Sequence, residues 1–121
     1  MKMLVSEFLQ AYDLRGALLE KAKKKSNELE LTVSLSDWQG GSATDSPGKN
    51  FLILTFLNIF ELEPEIPLHK IKGHPLQGIT AEQLPTVHGV TEQLIRVGVE
   101  AADGIRTIKF QSRRMGVEEA N

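Results

Sequence analysis

Leu29-Glu30-Leu31-Thr32-Val33-Ser34-Leu35-Ser36 alternates apolar and polar residues without a miss. That is the two-residue period of a β-strand with one face in a core and the other toward water, and it sets the class in which the rest of the chain is read. Downstream, Asp37 to Asn50 is polar, rich in Gly, Ser and Asp, and contains Pro47. It reads as a loop, long for a compact domain. Phe51 to Phe60 is apolar at nearly every position, which predicts a central strand covered on both faces. Pro64 and Pro67 then break regular structure, and Gly73 and Pro75 leave Leu68–Leu76 irregular or a short edge strand. Thr80-Ala81-Glu82-Gln83 fits a capping box that opens one helical turn, ended by Pro85.

Farther out, Asp103-Gly104 is a two-residue hairpin turn signal. Pairing outward from it sets Val99 opposite Ile108 and Val97 opposite Phe110 on one face, with Gly98 opposite Lys109 and Arg96 opposite Gln111 on the other. Register and hydrophobic pattern agree, so each supports the other. Upstream, Val5, Phe8, Leu9 and Tyr12 recur at helical spacing and predict a helix over Met3–Tyr12. Ala17–Lys25 is open between two readings. As a helix it aligns Leu14, Ala17, Leu18 and Ala22. As a strand it hairpins to Glu28–Ser36 through Ser26-Asn27, sets Leu18 opposite Leu35 and Ala22 opposite Leu31, and leaves Glu20 and Lys24 on the apolar face.

Tyr12-Asp13-Leu14-Arg15-Gly16-Ala17-Leu18-Leu19-Glu20-Lys21, followed by the alternating strand and Ser36-Asp37-Trp38, resembles the opening of certain small bacterial β-sandwich proteins. Some related domains are immunity proteins of bacterial toxin systems. The likeness covers about the first third of the chain and departs at the family's His-Asp-Ala signature, where Arg15-Gly16 stands instead of His-Asp. It implies a strand over Ala17–Lys25 and a binding protein rather than a catalyst. No role of the His-Asp pair carries over.

The bulk numbers bound the rest. A chain of 121 residues with 40% hydrophobic content suits one domain with its own core. With no cysteine, it has no thiol nucleophile, cysteine zinc site or redox pair. Ser6 and Glu7 interrupt any signal-peptide run, and Phe51–Phe60 falls far short of a bilayer span, so a cytoplasmic protein that avoids the membrane is expected. Fourteen basic against sixteen acidic residues give a net charge of −2, which supplies no general attraction for nucleic acid. The basic clusters Lys21, Lys23–Lys25 and Arg113-Arg114 hold no aromatic for base stacking and read as solvated surface.

Catalytic chemistry finds no motif. Gly48-Lys49 lacks the glycine at position 43 and the hydroxyl at position 50 of a phosphate loop, and a strand rather than a helix follows. His69, His74 and His88 show neither helical nor strand metal-ligand spacing, and no nucleophile elbow is present. No cofactor or metal is expected. Glu61, Glu63 and Glu65 stand two residues apart, a strip that meets a basic partner or, more plainly, a charged edge that discourages sheet aggregation. Trp38 marks the point where a strand gives way to the long loop, with Asp37 and Asp45 beside it.

The expectation is a mainly β chain, a small antiparallel β-sandwich or bent sheet with an N-terminal helix, with α+β as the fallback. It is expected to bind another protein without catalysis, as an immunity or accessory protein, through Trp38, Asp37, Asp45 and Glu61, Glu63, Glu65. The alternatives are a metal-dependent enzyme using His69, His74 and His88, or a homodimer through an exposed edge strand.

Overall fold

The computed structural model describes residues 2–35 and 50–120. Among these residues nine antiparallel strands form one sheet: β1 (Lys2–Leu4), β2 (Leu18–Lys25), β3 (Glu28–Leu35), β4 (Asn50–Phe56), β5 (Phe60–Pro64), β6 (His74–Gln83), β7 (Gln93–Ala101), β8 (Gly104–Ser112) and β9 (Arg114–Ala120). One helix, α1 (Val5–Ala11), follows β1, and a single 3₁₀ turn covers Leu68–Lys70. The strand order is β1-β9-β4-β3-β2-β6-β7-β8-β5.

The sheet folds over on itself. In the strand order β4 and β8 are five places apart, a distance of about 24 Å in a flat sheet. Yet Phe56 of β4 and Phe110 of β8 meet edge to face with ring centroids 4.9 Å apart, and both are fully buried. The half β1-β9-β4-β3-β2 therefore faces the half β6-β7-β8-β5 across a core that includes Leu29, Leu31, Leu52, Leu54, Ile95, Val97, Ile108 and Met115. The two halves join by pairing at Leu18↔Pro75 and Leu19↔His74. Elsewhere the chain itself passes between them, at Leu57–Ile59 and at Arg113. These two passages are tied together: Leu57 N–H donates to the Arg114 carbonyl at 3.0 Å, and the buried Ser112 hydroxyl donates to the Leu57 carbonyl at 2.8 Å.

The alternation that opened the sequence reading is β3, with Leu29, Leu31, Val33 and Leu35 buried. Ala17–Lys25 resolves to a strand, β2, turning through Ser26-Asn27, with Ser26 at φ 53°. Ala22 pairs with Leu31 as the strand reading required, but a bulge between Leu19 and Lys21 sets Leu18 opposite Ser34 rather than Leu35. The bulge removes the polar intrusion. It buries Leu19 and Ala22 while Lys21, Lys23, Lys24 and Lys25 stay exposed and Glu20 half-exposed.

Several sequence expectations are corrected. The apolar run Phe51–Phe60 is not one strand buried on both faces. β4 is central, but only Leu52, Leu54 and Phe56 are buried, while Phe51, Ile53 and Thr55 are half-exposed, and Asn58 at φ 49° ends the run. Thr80–Gln83 opens no helix. It completes β6, where Thr80 pairs with Arg96 and Gln83 with Gln93, because a ladder along β7 gives this segment backbone partners that one isolated helical turn lacks. The helix predicted over Met3–Tyr12 is shorter, since Lys2–Leu4 pairs with β9, and the Glu7 carboxylate accepts the Leu4 N–H at 2.9 Å where α1 begins.

The β7–β8 hairpin keeps its faces but slips by two residues: Ala101 pairs with Gly104, Val97 with Ile108 and Ile95 with Phe110. The turn residues are Ala102-Asp103, and Gly104 at φ 128° absorbs the backbone twist that a side chain rarely permits. A slip of two leaves inward residues inward, which is why the pattern could not detect it.

A candidate binding face across the second half

The outer face of the β6-β7-β8-β5 half is set by strand parity. With Ile95, Val97 and Val99 in the core, Arg96 and Gly98 of β7 must face outward. Their partners complete two rows across the strands. Gly78, Gly98 and Thr107 form one, and Thr80, Arg96 and Lys109 the other. The first row carries side-chain bulk of its own only at Thr107. A Cβ at Gly98 would lie 2.6 Å from Gln77 Oε1, since Gln77, displaced at the β-bulge between Leu76 and Gly78, lays its side chain across that position.

The result is a trough across the strands. A cavity of about 650 Å³ opens against Leu9, Tyr12 and Ile79, and a second of about 400 Å³ opens toward Glu63 and Glu65. Arg96 and Thr107 line both, so the two adjoin. Their sizes fall in the range of ligand and peptide sites. Stacked rings of Phe8 and Tyr12, centroids 4.8 Å apart, support the wall that α1 contributes.

Charges around the trough come in pairs. Arg15 grips Asp13 through both Nε and Nη2, with Nη2 to Oδ2 at 2.7 Å. The Arg15 guanidinium, by hydrogen bonding above all, holds the Asp13 carboxyl down at about 2. At the far end the acidic strip is engaged by β8. Glu61 accepts from the Gln111 amide at 2.7 Å, Glu63 pairs with Lys109 Nζ at 3.0 Å, and Glu65 accepts the Thr107 N–H at 2.7 Å. β5 is a sheet edge and carries Pro64, the arrangement of the plainer reading of that strip.

Trp38, Asp37 and Asp45 lie outside the described residues. The three histidines fall on separate segments: His69 in the 3₁₀ turn, His74 at the start of β6 with Nδ1 accepting the Lys72 N–H at 3.1 Å, and His88 at the tip of the β6–β7 hairpin. Among the described residues, no group of three or more His, Asp or Glu side chains is placed to hold a metal ion. Nor is any helix among them long and apolar enough to cross a membrane.

Sequence reasoning missed the trough. Arg96, Gly98 and Lys109 were legible as outward positions of a hairpin, but reading Thr80–Gln83 as a helix removed β6, the strand that widens the face. Comparison of the chain with protein-family models, with curated proteins and with solved structures finds no match.

Proposed function

We propose that this chain is a non-catalytic, cytoplasmic protein-binding domain that engages its partner across the outer face of the β6-β7-β8-β5 half. The observation that carries the reading is the pair of adjoining cavities on this face, which share Arg96 and Thr107, the larger lined also by Gly78, Gly98, Leu9 and Tyr12. The immunity or accessory role rests on the resemblance of the N-terminal third, and steric occlusion is its mechanism. A protein partner suits the trough better than nucleic acid, because carboxylates stand beside each of its cations.

The test is site-specific photocrosslinking in cells that naturally make the chain. A photoreactive residue in place of Gln77 should give one defined protein adduct, lost on Arg96→Glu, whereas the same group in place of Lys23, on the other half of the sheet, should give none. Equal adducts from both positions, or an adduct indifferent to Arg96→Glu, refutes the assignment of this face. Trp38→Ala in the same assay separates the trough from the loop that the sequence singled out.

A further inference from the structure

Three cations line the trough, and they are held unequally. Lys109 Nζ lies 3.0 Å from Glu63, and Arg15 Nη2 lies 2.7 Å from Asp13. Arg96 Nη1 lies 3.8 Å from Glu82, beyond hydrogen-bonding reach, and its guanidinium makes no side-chain hydrogen bond among the described residues. The carboxylates at the other end are each engaged by β8, as described above. The Arg96 fork, ion-paired with Glu82 but not hydrogen-bonded to it, is therefore the least engaged donor of the face. Arg96 sits where the two cavities meet, beside its cross-strand partner Thr80 and near Thr107, and shares the larger cavity with Leu9 and Tyr12.

We infer that this end of the trough is a subsite for a single carboxylate flanked by an apolar side chain, supplied by an acidic segment of the partner protein. The inference rests on the protein-binding reading and gives the partner's chemistry a sign opposite to the one the acidic strip suggested. A planar guanidinium with its fork open matches a carboxylate in bidentate geometry. The Thr80 and Thr107 hydroxyls donate from the floor, and the apolar neighbour covers Leu9 and Tyr12. Asp13, Glu63, Glu65 and Glu82 surround the position. An incoming carboxylate takes the place of Glu82 at Arg96, and these neighbours repel a phosphate dianion or a polyanion more strongly than a single charge.

The probe is N-acetyl-Asp-Phe-amide, followed by backbone amide shifts of the full chain, with N-acetyl-Asn-Phe-amide as the uncharged isostere. The aspartyl peptide should move the amides of Gly78, Gly98 and Thr107 saturably at roughly millimolar concentration. The asparaginyl peptide, and the aspartyl peptide with Arg96→Gln, should bind at least about tenfold more weakly, as befits loss of a charge-assisted pair. Arg96→Lys, which keeps the charge without the fork, should fall between. Arg96 is exposed, so an unchanged melting midpoint confirms that these variants remain folded.

Equal binding of the two peptides, or shifts confined to other residues, overturns the inference. If the Gln77 adduct survives Arg96→Gln while the peptides discriminate nothing, the carboxylate subsite falls and the protein-binding reading stands. Arg96-dependent peptide binding with no protein adduct overturns the protein occupant, and the carboxylate then belongs to a small molecule.

Discussion

The edge-to-face contact of Phe56 with Phe110 carries the fold-over of the sheet, and a double-mutant cycle on it is the sharpest test of the architecture. Truncating a buried phenylalanine to alanine costs about 3–5 kcal/mol. Two such changes approach the whole stability of an ordinary domain, about 5–15 kcal/mol. Leucine is therefore the better replacement, since it keeps aliphatic bulk and removes the ring, at roughly 1–2 kcal/mol for each site. For 121 residues the unfolding entropy is about 0.25 kcal/mol per degree, so each single variant should melt about 4–8 °C lower. Rings in contact add about 0.5–1.5 kcal/mol beyond the area they bury. Phe56→Leu with Phe110→Leu should accordingly destabilise by less than the sum of the singles, by that amount, in urea titrations of all four chains. In an open sheet the two positions are too distant to couple, and additivity within about 0.3 kcal/mol would refute the closed arrangement.

Ser112→Ala should cost about 1–3 kcal/mol of unfolding free energy in urea titration, because it strands the Leu57 carbonyl that Ser112 serves; an unchanged midpoint would mean the two passages are not tied there. The Asp13 carboxyl should titrate by carbon NMR near 2 and return toward about 4 in Arg15→Ala. Because the folded value is the depressed one, the clamp contributes fully above the unfolded pKa of about 3.9 and is lost as the pH falls through 2; an Asp13 midpoint near 4 in the unaltered chain contradicts the clamp. Gly98→Ala should lower the melting midpoint through its clash with Gln77, and adding Gln77→Ala should recover part of the loss; no recovery would place the strain elsewhere. Glu63→Gln should change stability by less than about 1 kcal/mol, as exposed pairs do, and a larger loss in the melt would show the Lys109 pair to be shielded from solvent.

The elements legible from sequence are those whose pattern is local. β3 and the β7–β8 hairpin carry alternation that names both strand and face, and the β2–β3 turn at Ser26-Asn27 fixed the Ala22↔Leu31 pairing within the strand reading. The failures have physical causes. The bulge at Leu19–Lys21 shifts the phase of β2 by one residue, so a strict two-residue period finds charges on the apolar face. β6 contains Pro75 and Gly78, both poor strand residues, and its Thr80-to-Gln83 stretch satisfies a capping rule that the ladder with β7 overrides. The site was illegible for the same reason. Its floor is assembled from β6, β7 and β8 and its apolar wall from α1 and β6, while the acidic strip that stood out is engaged by its neighbour strand.

The position of β4 has a consequence for synthesis on the ribosome. One edge of β4 pairs with β3, which is made before it, and the other with β9. About sixty residues separate Phe56 from Arg114, so at about 5–20 residues per second the Phe51–Phe56 edge waits about 3–12 s for its partner. Throughout that interval the nascent chain displays Phe51-Leu52-Ile53-Leu54 on an open, uncharged strand edge. Release before β9 emerges should therefore lead to precipitation, and this short window is where a holding chaperone has most to do.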